Sequence, residues 1–120
     1  MAENVPRKIQ FYISPDGRVP FAEWFEALKS KSAQAAVDKA LDKVRLGNLS
    51  SKNSKPLGSG VYEVKIDYGP GYRIYFGQVG LSVVLLLCGG DKRNKRTQSQ
   101  DIQKAKSYWA DYEKREGTYE

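Results

Sequence analysis

The chain has 120 residues, enough to bury one core and too few for two, and its 40% hydrophobic and 28% charged content excludes a disordered composition. With 20 Lys and Arg against 14 Asp and Glu the net charge is +6, which favours a polyanionic partner, nucleic acid or an acidic protein. The absence of histidine excludes His-based triads and most zinc chemistry, and a single cysteine, Cys88, excludes an intrachain disulfide framework or cysteine metal cluster.

The N-terminal "MAENVPRK" lacks the apolar stretch of a signal peptide, and no run approaches the ~18 apolar residues of a membrane span, so a cytoplasmic protein of one domain, residues 1–120, is expected. "RKIQFYI" (7–13) reads as a strand closed by the turn "SPDG". "PFAEWFEALK" (20–29) places Phe21, Trp24, Phe25 and Leu28 on one helical face behind Pro20. Ala33, Ala36, Val37, Ala40, Leu41 and Val44 repeat the spacing up to Gly47, so the two helices form a hairpin. The Ser-, Asn- and Gly-rich segment 48–60 reads as an exposed loop.

Strands follow at 61–67, 72–78 and 82–88, joined by links too short for helical crossovers, which predicts an antiparallel meander. The run "VVLLLC" should be a central strand with Cys88 as a buried small hydrophobe. Residues 97–116 space Ile102, Ala105, Trp109 and Tyr112 along one helical face, with Thr97 and Gln100 as a capping box. The order β-α-α-β-β-β-α predicts an α+β layer with helices on one face of an antiparallel sheet and function on the open face.

Alternation puts Tyr62, Val64, Ile66, Tyr72, Ile74 and Phe76 on the core face, and Glu63, Lys65, Asp67, Arg73 and Tyr75 on the other. Two registers satisfy this. A three-residue loop sets Asp67 opposite Arg73, an ordinary cross-strand ion pair; a five-residue loop sets Lys65 opposite Arg73, an unfavourable pair unless an anion joins them. The segment "CGGDKRNKRTQSQD" leaves the last strand beside these residues. Gly89 and Gly90 would let Lys92, Arg93, Lys95 and Arg96 fold back over the sheet edge, with Tyr75 as a stacking surface; a solvated charge run before a helix is the competing reading.

"LGSGVYEVKIDYGPGYRIYF" followed by "LLLCGGDKRNKRTQSQDIQKA" resembles the RelE/ParE toxin superfamily, closest to its phage-related addiction-module killer proteins of HigB type. The resemblance implies a RelE-like fold and a toxin made beside a cognate antitoxin, commonly a helix-turn-helix protein. RelE-like members cut messenger RNA on the ribosome without a metal or cofactor, whereas ParE-like members inhibit DNA gyrase. The superfamily's catalytic lysine and arginine match Lys65 and Arg73, and its basic segment matches Lys92 to Arg96. Glu63 stands where some members have a further lysine, and this chain lacks the C-terminal histidine of HigB-type proteins.

For such cleavage Arg73 with Lys92 or Arg96 would stabilise the phosphorane, and Lys65 is the general-base candidate with Asp91 as its substitute. Tyr75, Arg93, Lys95 and Arg96 would bind RNA. A gyrase inhibitor and a non-toxic nucleic-acid-binding domain are the alternatives, and no apolar stripe is left over for self-association, so a monomer is expected when free of antitoxin.

Overall fold

Two apolar faces on one set of strands, and three amphipathic helices to cover them, dictate the architecture. The computed structural model describes residues 6–47, 53–91 and 95–117. In chain order the elements are β1 (Lys8–Phe11), α1 (Pro20–Glu26), α2 (Lys31–Leu46), β2 (Ser54–Gly58), β3 (Val61–Ile66), β4 (Tyr72–Val79), β5 (Val83–Asp91) and α3 (Lys95–Gly117).

Pro20 opens α1, where its missing N–H costs nothing. Ser30 caps α2 by accepting a 2.9 Å bond from the Ala33 N–H, and Gly47 ends it in the left-handed region at φ 75°, which a side chain would strain. α1 stops at Glu26, short of the predicted Lys29, and α3 begins at Lys95, so Thr97 lies inside the helix rather than capping it.

The sheet has five strands in the order β1-β5-β4-β3-β2. Strands β3, β4 and β5 form the predicted antiparallel meander, with β5 in the interior of the sheet. β1 joins β5 in parallel, Lys8 opposite Val83, because the chain reaches β5 only after both helices and three other strands. The segment expected to be a loop contributes a fifth strand: Ser54–Gly58 pairs antiparallel with β3. Pro56 is tolerated there because β2 is an edge strand with no outer ladder to complete. Residues 48–52 of that predicted loop lie outside the described residues.

The expectation of one open face is overturned. Phe21, Ala33, Val37 and Val44 of α1 and α2 pack on Val64, Ile66, Ile74, Phe76 and Leu86, while α3 covers the opposite face through Ala105 and Trp109 against Val61, Tyr75, Leu85 and Leu87. The reason is legible in α3 itself, whose apolar stripe needs a partner and finds the second side of β4 and β5. Trp109 lies so close to Gly77 that a Cβ there would collide with the indole ring. Among the described residues no helix is long and apolar enough to cross a membrane.

Gly77→Ala should therefore push α3 off the sheet without straining the backbone. The expected loss is about 1–3 kcal/mol, the usual cost of overpacking, read as a lower urea midpoint at unchanged slope.

Candidate nucleic-acid site

The hairpin between β3 and β4 decides which cations meet. Tyr68 to Gly71 form a turn closed by a 2.9 Å bond from the Gly71 N–H to the Tyr68 carbonyl, with Gly69 at φ 55° and Gly71 at φ 89°. The last rung is Ile66 opposite Tyr72, which leaves the five-residue loop 67–71 and sets Lys65 directly opposite Arg73. The alternative pairing of Asp67 with Arg73 does not form.

Arg73 finds its carboxylate elsewhere. Glu63 shares its face of the sheet, and Arg73 Nη1 lies 2.7 Å from Glu63 Oε2, both residues buried, at 6% and 0% exposure. The pair is at ion-pair distance but lacks hydrogen-bond alignment: both Glu63 oxygens, Arg73 Nε and Nη1, and the Tyr75 hydroxyl are buried without a hydrogen-bond partner. Tyr75 is fully buried. This corrects its expected role as a stacking surface, because α3 covers the face on which it lies. Burial, then the Glu63 charge, push its phenol well above the ordinary range.

β5 carries an irregularity that the sequence does not announce. Phe76 pairs with Leu86 and Tyr75 with Cys88, so Leu87 is an extra residue that re-phases the strand. Leu87 and Cys88 both face the α3 cluster, Gly90 follows them with Asp101 seated on it, and Gly89 faces the other way under Trp24. Gly89 and Gly90 are thus ladder residues, paired with Ile74 and Arg73 in β5, rather than a flexible link. Their missing side chains make room for Trp24 and for the Asp101 carboxylate, either of which would collide with a Cβ.

The same re-phasing separates Asp91 from Lys65 and Arg73. A straight alternation from Leu86 would put Asp91 on the α3 face; instead it pairs with Tyr72 and lines a space shared with Trp24, Leu28 and Lys29 on the α1 side. Asp91, on the face opposite to Lys65 and Arg73, also lines a larger cleft with Gly90 and Asp101. Lys92 and Arg93 lie outside the described residues. Lys95 and Arg96 are exposed in the first turn of α3, which contains no acidic residue. They precede Asp101 by about one and a half turns, and Asp101 rests on the rung partner of Arg73.

A cleft of about 720 Å³ opens at this end, lined among others by Arg18, Glu23, Trp24, Gly90, Asp101 and Lys104. Burial raises the Asp101 carboxyl, opposed by the Lys104 charge and reinforced by Asp91. Desolvation likewise pushes the Cys88 thiol up to about 12, the setting of an inert core cysteine.

The structure therefore brings Lys65 and Arg73 together and leaves Lys95 and Arg96 exposed where α3 begins. It adds Glu63 and Asp101, which the sequence pattern did not mark: the first shows only as a member of a charged face until the register is chosen, and the second as one polar residue in a helix.

Residues 23–110 match the family described as "Phage derived protein Gp49-like". The chain belongs to that family. An uncharacterized protein of Haemophilus influenzae (strain Rd) is 37% identical over 86 residues, which span 72% of this chain and 82% of the relative. The Gp49-like family is associated with toxin–antitoxin modules. The matched stretch runs from α1 to Ala110 of α3 and so includes Lys65, Arg73, Lys95 and Arg96.

Two outcomes test this geometry. Glu63→Leu strands a buried guanidinium and should cost about 3–5 kcal/mol in urea unfolding, whereas Glu63→Leu combined with Arg73→Met should recover most of the loss. The Cys88 thiol should stay unreactive toward a disulfide reagent at pH 8 in the folded chain and react fully in urea.

Proposed function

We propose that this Gp49-like chain is the toxin of a toxin–antitoxin module, acting as a ribosome-dependent endonuclease that cuts messenger RNA without a metal. The observation that carries the reading is the rung joining Lys65 to Arg73. Two cations directly opposed in a ladder are unfavourable alone, and Glu63 offsets only one of them; a phosphate is the natural third member. The exposed Lys95 and Arg96 extend the positive field toward α3.

Cleavage would proceed by attack of the 2′-oxygen on the adjacent phosphorus, forming the O2′–P bond and breaking the P–O5′ bond, to leave a 2′,3′-cyclic phosphate and a 5′-hydroxyl whose proton comes from water. Lys65, exposed at the end of β3, takes the 2′-hydroxyl proton. Arg73, tethered from behind by Glu63, stabilises the charge that builds on the phosphorane, as a fixed donor does best when it need not reorganise. Lys95 and Arg96, with Lys92 and Arg93, hold the flanking backbone. The ribosome supplies alignment, so free RNA is a poor substrate. A cognate antitoxin, of helix-turn-helix type on the resemblance noted above, silences the monomeric toxin in the cytoplasm.

Lys65→Ala is the discriminating variant, since Arg73→Ala would strand the buried Glu63 and confound activity with stability. RNA 5′ ends mapped after a brief induction should show codon-phased cuts within translated messages, abolished by Lys65→Ala while the chain stays folded. Intact messages with altered plasmid supercoiling would overturn the nuclease reading in favour of gyrase.

A further inference from the structure

A second basic surface lies around the sheet edge from the Lys65–Arg73 rung. Between α2 and the end of β3 runs a groove of about 540 Å³ whose polar lining is Lys39, Lys43, Asn53, Lys65, Asp67 and Tyr68. Its floor is apolar, from Ala36, Ala40, Val64 and Ile66. Lys39 and Lys43 stand four residues apart on α2, hence on one face, and both are exposed. Asp67 is the single acid in the lining, against Lys39 and Lys43 on α2.

Tyr68 gives this surface a character that lysines alone would not. The residue is 41% exposed, and its backbone is pinned by the turn that Gly71 closes. The Lys65 N–H donates a 2.7 Å bond to the Asn53 carbonyl, which fixes the chain entering β2 at the rim. A cationic groove with a held, accessible aromatic ring is the arrangement that binds single-stranded nucleic acid, the cations tracking phosphates and the ring stacking on a base whatever its identity. An acidic protein segment would satisfy the lysines but makes no use of the ring.

We infer that this groove binds single-stranded RNA next to the cleavage position, Tyr68 stacking on a base while Lys39 and Lys43 contact phosphates. The assignment rests on the nuclease reading for its substrate class. Lys65 lines the groove at the strand edge while its side chain stands on the opposite face beside Arg73, so a strand leaving the Lys65–Arg73 rung reaches the groove by crossing that edge. Tyr68 thereby takes the stacking role that burial denies to Tyr75.

The test is the affinity of the full chain for a fluorescent 2′-O-methyl oligoribonucleotide, which cannot be cleaved and so reports binding apart from activity. Tyr68→Ala should weaken binding about tenfold and Tyr68→Phe should restore it. Lys39→Gln with Lys43→Gln should make the dependence of log affinity on log salt shallower by about 1.4, the loss of two phosphate contacts on a single strand. Unchanged affinity and slope in these exposed-residue variants would overturn the inference, as would displacement of the RNA by polyglutamate at equal charge concentration, which would assign the groove to an acidic protein. Weakened binding in the variants with no message cleavage in cells would leave the groove an RNA site and remove the nuclease. Cleavage in cells with binding unaffected by the variants would do the reverse.

Discussion

The pairing of β3 with β4 is the constraint on which the remaining features rest. A turn of Tyr68 to Gly71 adds enough chain to make Lys65 and Arg73 rung partners and Glu63 and Tyr75 the next pair on the same face. Glu63 is then diagonal to Arg73, near enough for its carboxylate to neutralise a guanidinium that α3 would otherwise bury alone. Desolvating two ions costs several kcal/mol each, and their attraction compensates only in good geometry. The shorter loop would have given Arg73 to Asp67 and moved Glu63 away, leaving the Glu63 carboxylate without this partner beneath α3.

Three glycines key the helices to the two faces of the sheet. Gly77 admits the Trp109 ring, Gly89 the Trp24 ring and Gly90 the Asp101 carboxylate. All three lie in the paired regions of β4 and β5, where a glycine ordinarily weakens a strand by leaving nothing to pack. Here the gaps are filled by neighbours from α1 and α3, so each helix is keyed to one position along its strand. The extra residue at Leu87 distributes these seats, sending Gly89 to one side and Gly90 to the other.

Much of this was legible in the sequence because it follows from periodicity. The amphipathic stripes of α1, α2 and α3, the antiparallel meander and the apolar interior strand all repeat with the spacing their structure requires. β2 was not legible, because "SKPLG" has neither alternation nor branched residues and becomes a strand only by docking on β3. The side of the sheet taken by α3 was hidden for another reason: the charged residues Glu63 and Arg73 mark a face as solvated until their mutual neutralisation is seen. Of the candidate site, alternation correctly grouped Lys65 with Arg73. It misjudged Tyr75, whose burial depends on α3, and it did not reach Asp91, whose orientation depends on an insertion in the ladder.

The parallel seam between β1 and β5 has a temporal meaning. Lys8 to Phe11 precede α1, α2 and three other strands in the chain, yet their partners, Val83 to Leu86, belong to β5. Contacts this distant in sequence form only after a large loop has closed, and they slow folding accordingly. The first strand must therefore wait, unpaired, while α1, α2 and β2 to β4 are made, and it finds its partner only in β5. A growing chain thus has no finished sheet until β5 has been made, which separates the moment its first strand is translated from the moment the fold can act.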